Sequence, residues 1–113
     1  QRRDIEAADE RPDAAVVIIA RHAVDNGFDH DTRLTGDQRL FLYLPLEHSE
    51  DPEDQRTCVE LMERIGKPDQ IEYARQHKAI IDRFGRFPHR NTLLGRETTP
   101  EEAEFLGQPG SSF

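Results

Sequence analysis

The chain has 113 residues, 35% of them apolar and 34% charged, and its 23 acidic against 15 basic residues give a formal net charge of −8. That length suits one hydrophobic core and leaves no room for a second domain. The acidic balance argues against nucleic acid and anionic membrane surfaces as partners, since both are polyanions that need a basic footprint. With Cys58 as the single cysteine, neither an internal disulfide nor a zinc ribbon can form. The longest apolar run, Ala14 to Ala20, is far shorter than the ~20 residues of a membrane-spanning helix. No apolar secretory core precedes it, so a cytoplasmic location is the expectation. The start at Gln1 without a Met reads as a fragment of a longer product or as a chain whose first residues were removed.

Residues 1–11 mix charges of both signs without a sustained apolar period and read as a flexible or loosely helical leader. Residues 12–113 then read as a single all-helical domain. Pro12 suits a first helical turn, and Asp13 to Asn26 is apolar nearly all round before Gly27 stops it. This segment is expected to be the central, most buried helix. Thr35 and Gln38 form a capping box for a helix through Leu46, with Pro45 bending or ending it. Asp51-Pro52 opens the next helix, in which Cys58, Leu61, Met62 and Ile65 recur at helical spacing before Gly66. Pro68 begins a fourth, with Tyr73, His77, Ile80 and Phe84 as its apolar stripe and Gly85 as its stop. A short helical turn is expected over Asn91 to Leu94, and Thr99-Pro100-Glu101-Glu102 caps a brief last helix to Leu106. Short Gly and Pro turns between helices predict antiparallel hairpins, in the manner of a tetratricopeptide-like stack.

Two stretches stand out chemically. "DRFGRFPHRN" (82–91) and the residues just after it place Arg83, Arg86, Arg90 and Arg96 with His89 and Asn91 in an otherwise acidic chain. Guanidinium forks grip phosphate or carboxylate, so an anionic ligand is one reading. The other is architectural, with the arginines paired to nearby carboxylates, Phe84 and Phe87 sealing the turn and Asn91 capping a helix. Glu47-His48-Ser49-Glu50-Asp51 is the acidic counterpart, able in principle to bind a divalent metal or to act as an acid–base pair. That segment lacks the second helical His of a zincin and reads more simply as a salt-bridge partner for the arginine turn. His22 and His77, on apolar helices, read as buried histidines in need of hydrogen-bond partners, and Cys58 as core filling. Dinucleotide, P-loop and nucleophile-elbow signatures are absent, so neither a cofactor, a metal nor a catalytic residue is assigned.

The stretches "FLYLPLEHSED" (41–51), "YARQHKAIIDRFGRFPHRNTLLGRETTPEEAEFL" (73–106) and "PGSSF" (109–113) resemble the bacterial DUF924 family, over roughly residues 12–113. The resemblance implies an all-helical, tetratricopeptide-like fold and leaves the activity unassigned. Its signature positions include Glu47, His48, Arg83, Arg86, His89, Arg90, Asn91 and Arg96. Family members usually carry further helices upstream, which the leader here does not supply, so an apolar face covered by a homodimer or higher oligomer is expected. The leading functional expectation is a non-catalytic interaction or scaffold module that self-associates or binds a protein partner. The alternative is an anion-binding protein or enzyme using Arg86, His89 and Arg90 near Glu47 and His48.

Overall fold

The computed structural model describes residues 14–112, and every regular element among them is a helix. In chain order these are α1 (Ala14–Asp25), a 3-10 turn (Phe28–His30), α2 (Gly36–Glu47), α3 (Pro52–Ile65), α4 (Pro68–Phe84), a second 3-10 turn (Pro88–Arg90), α5 (Asn91–Leu94) and α6 (Pro100–Leu106). The leader and the start of the first helix at Pro12 fall outside the described residues.

The boundaries follow local chemistry. Thr35 and Gln38 form the reciprocal capping box of α2, and Thr99 and Glu102 form that of α6. The Asp51 carboxylate accepts from Glu53 N–H at 2.9 Å and caps α3. At the far ends, α3 and α4 stop at Gly66 (φ 80°) and Gly85 (φ 73°), a left-handed conformation that costs glycine little. Pro45 lies inside α2, which ends two residues later.

Helices α2, α3 and α4 pack successively, and the connections between them are short enough to reverse the chain at each step. Their shared core joins Tyr43 and Leu46 of α2, Cys58, Leu61 and Met62 of α3, and Ala74 of α4, with Ala20 of α1 closing one end. A second cluster gathers Ile80, Ile81 and Phe87, with Phe84 and Phe105 packed against it.

Three expectations are corrected. Helix α1 is peripheral: only Val17, Ala20 and Ala23 of its described side chains are buried, while Val16, Ile18 and Ile19 are 45%, 60% and 64% exposed. An all-round apolar sequence can mark burial, but here just one stripe meets α2. His22 on the same helix is exposed, its Nδ1 3.3 Å from the Asn26 amide. On α4 the buried face runs through Ala74, His77, Ile80 and Ile81, so Tyr73 stands outside the stripe and is 56% exposed.

Glu50, in the α2–α3 connection, ties the C-terminal third of the chain to the hairpins. Its carboxylate accepts from Arg96 Nη1 at 2.8 Å and Nη2 at 3.1 Å, and from Phe87 N–H at 2.8 Å, with Arg90 Nη1 at 3.9 Å. Replacing Glu50 with Gln removes the charge that these donors share, and the expected cost is about 2–3 kcal/mol of stability in urea denaturation. An unchanged midpoint would show that the clamp is ornamental.

Candidate functional site: a cleft floored by Glu47

The end of α2 leaves its last carbonyls in need of donors. The wholly buried Gln55 of α3 supplies one: its Nε2 donates to Glu47 O at 2.6 Å and Ser49 O at 2.7 Å. This side chain locks the α2 terminus onto α3 and sets the direction of Glu47 and His48. Ser49 Oγ donates to Asp54 at 2.6 Å, and Arg21 of α1 pairs with the same carboxylate, so the connection is held on both sides.

Beside this locked end lies a cleft of about 600 Å³, lined by Leu44, Glu47 and His48 from the α2 end, Gln70, Tyr73, Gln76 and His77 from α4, and Gly110 and Ser112 from the C-terminal segment. Ser111 anchors that segment by donating from Oγ to Leu106 O at 3.1 Å. Glu47 is 3% exposed, and its Oε1 has no hydrogen-bond partner among the described residues. His77 Nδ1 stands 3.8 Å from that oxygen but donates instead to Tyr73 O at 2.7 Å. His48 Nδ1 likewise donates to Leu44 O at 3.0 Å, and the two imidazoles meet edge to face at 5.3 Å between centroids.

Burial pushes the Glu47 carboxyl up to about 7. The same cause pulls His77 down to about 4 and lowers His48, with the Arg90 charge a further influence on both rings. The site floor therefore holds neutral imidazoles and a carboxyl that titrates near neutrality, a range suited to proton exchange with a bound molecule. No group of three or more His, Cys, Asp or Glu among the described residues is arranged to hold a metal ion.

The arginine stretch backs this cleft without lining it. Phe87, fully buried, packs edge-on to His77 at 5.7 Å, and the Arg90 guanidinium lies over the Phe87 ring, 4.6 Å from its centroid. Arg86 forms a two-point fork with Glu102 at 2.8 and 2.9 Å and donates to Glu97 O at 2.6 Å, holding Glu102 down to about 2. Arg96 is held by Glu50 and by Asn91 Oδ1 at 3.0 Å. Arg83 lies 4.5 Å from the Phe84 ring and 5.8 Å from that of Phe105. His89 packs on Phe87 at 5.9 Å. Of the eight residues singled out in the sequence, only Glu47 and His48 line the cleft. His77 and Tyr73, read there as core, are its other wall. A signal was present in their spacing, one helical turn apart on α4, but nothing local to α4 shows that Glu47 faces them.

The opposed shifts of Glu47 and His77 give a signed expectation. Glu47, raised from 4.5, costs the native state stability as pH climbs from about 4.5 to 7; His77, lowered from 6.5, costs stability as pH falls from about 6.5 to 4. Relative to wild type, Glu47→Gln should gain about 1–3 kcal/mol between pH 4.5 and 7.5, and His77→Leu should gain a similar amount as pH drops from 7 to 4. Urea titrations across pH check both, and parallel stability curves for wild type and either variant would contradict the assignment.

Comparison with known proteins follows the same outline. The model of DUF924, a bacterial protein family of unknown function, matches residues 3–110. A solved structure of a protein of unknown function, ATU0120 from Agrobacterium tumefaciens, is 40% identical, with a TM-score of 0.73 over 81% of this chain and 51% of that one. The chain thus spans about half the length of that relative. No curated protein matches it. The family match over nearly all of the sequence, together with the shared helical fold, shows that the chain belongs to the DUF924 family.

Proposed function

We propose that this protein binds a small molecule in the cleft between the α2 end, α4 and the C-terminal segment. The observation that carries the reading is Glu47 Oε1, a buried carboxyl oxygen with no hydrogen-bond partner among the described residues, in the wall of an open cleft. Leaving such an atom unsatisfied costs about 1–3 kcal/mol, which a ligand donor would recover. Supporting it, all three stretches through which the sequence resembles its family contribute walls: Glu47 and His48 from the first, Tyr73 and His77 from the second, Gly110 and Ser112 from the third. The sequence-based site is thereby moved. Arg86 and Arg96 are committed to Glu102 and Glu50, which weighs against an anion held by the arginine turn.

A ligand-observed NMR screen of metabolite-sized fragments tests this, using wild type and two variants that alter only exposed walls, Tyr73→Ala and Ser112→Trp. Hits that compete with one another and weaken at least tenfold in both variants are the expected result. Fragments that bind both variants as well as wild type, or no hits at all, would overturn it.

A second reading rests on α1. Val16, Ile18 and Ile19 form an exposed apolar face, and a second copy of the chain could cover it isologously, in keeping with the self-associating module expected from sequence and with a tetratricopeptide-like stacking of hairpins. Light scattering at micromolar concentration should then show a dimer that Ile18→Asp reduces to monomer. A monomeric wild type would refute it.

A further inference from the structure

The cleft is rich in acceptors and poor in cations, which narrows what it can hold. Among the described residues that line it, none is Lys or Arg. Each of its imidazoles spends the Nδ1 proton on a carbonyl of its own helix, so the other nitrogen of the neutral ring is an acceptor. Arg90, the buried guanidinium behind this wall, is engaged with the Phe87 ring and Glu50. Glu47 Oε1 remains as the buried atom that calls for a donor, and a carboxylate in such surroundings gains most from a donor that is itself charged. Above it stand Leu44 and the exposed ring of Tyr73, an apolar and aromatic rim.

We propose, resting on the small-molecule reading above, that the cleft takes a small organic amine as its ammonium ion, which donates an N–H to Glu47 Oε1 and lays its hydrocarbon part against Leu44 and Tyr73. When the carboxyl is protonated beforehand, its proton leaves to water as the ammonium binds, and the ion pair replaces the O–H. The groups around Glu47 permit this exchange. His77 faces it from α4 at 3.8 Å, and His48 adjoins it on its own chain segment; both rings are biased toward the neutral state. Cys58 and Asp54 lie on α3, where the Cys58 thiol is pushed up by burial, with the Glu47 and Asp54 charges adding to it. Burial above all, with the nearby charges of His48, Arg90 and His89 adding to it, keeps His77 from becoming the cation that Glu47 would otherwise recruit.

The test is a titration of the full chain with benzylamine, with benzyl alcohol and benzoate as near-isosteric controls, followed by the side-chain signals of Gln70, Gln76 and Tyr73 in NMR spectra. Benzylamine should bind at least tenfold tighter than either control. Because Glu47 must ionise, its affinity should strengthen about tenfold between pH 6 and pH 8. Glu47→Gln, which keeps the shape of the neutral carboxyl, should lose at least tenfold in affinity while retaining the wild-type spectrum elsewhere. Equal binding of benzyl alcohol, affinity independent of pH, undiminished binding to Glu47→Gln, or no benzylamine binding at all would each overturn the proposal. If benzyl alcohol, benzoate or other fragments occupy the cleft while benzylamine does not, the amine falls and the binding cleft stands. If nothing enters the cleft, both fall.

Discussion

The Glu50 carboxylate is the joint on which the rest of the molecule depends. A chain of short helices gains its hairpins from local turns, but the segment after α4 has no hairpin partner and must be tied back by long-range contacts. Arg96, 46 residues away in sequence, and the Phe87 amide make that tie on one side chain. Ionic hydrogen bonds of this kind are among the stronger ones available at a half-buried position. Their effect is positional: they seat Phe87 against His77, and they hold Arg90 over the same ring. The wall behind the cleft is therefore built by a contact that never touches the cleft.

Within that frame, two buried polar groups are set against each other. Glu47 and His77 are near enough to suggest an ion pair, yet burial disfavours both charges and the histidine proton is spent on a backbone carbonyl. Desolvation outweighs mutual attraction because the pair is separated by 3.8 Å and lacks the hydrogen bond that would make ionisation worthwhile. A neutral site poised near physiological pH results. The arginines, by contrast, each have a carboxylate, carbonyl or ring to satisfy them, which is why the stretch most conspicuous in the sequence serves as scaffolding.

What was legible in the sequence is what is local. Capping boxes at Thr35 and Thr99, the Asp51 cap, and the glycine stops at 66 and 85 involve residues within three or four positions of each other, and each is read directly from spacing. The core stripe of α3 was legible for the same reason. What was hidden depends on which helix faces which. Val16, Ile18 and Ile19 look buried by composition, yet exposure is decided by the presence of a neighbour on that side. Gln55 is an ordinary polar residue in the sequence, and only the packing of α3 on α2 turns it into the cap of the Glu47 carbonyl. Glu47 and His48 could be singled out as titratable groups, but their partnership with His77 and Tyr73 belongs to the meeting of α2 with α4.

Glu47 is a buried carboxyl whose Oε1 has no hydrogen-bond partner among the described residues, and its own titration tests most directly whether it is poised to meet a bound donor. With the glutamate side chains labelled with ¹³C, the Glu47 carboxyl resonance should titrate with a midpoint near 7 in the free protein. A midpoint in the ordinary range for glutamate, about 4.3, would mean that the carboxyl is already hydrated or paired, and the account of the cleft would be wrong.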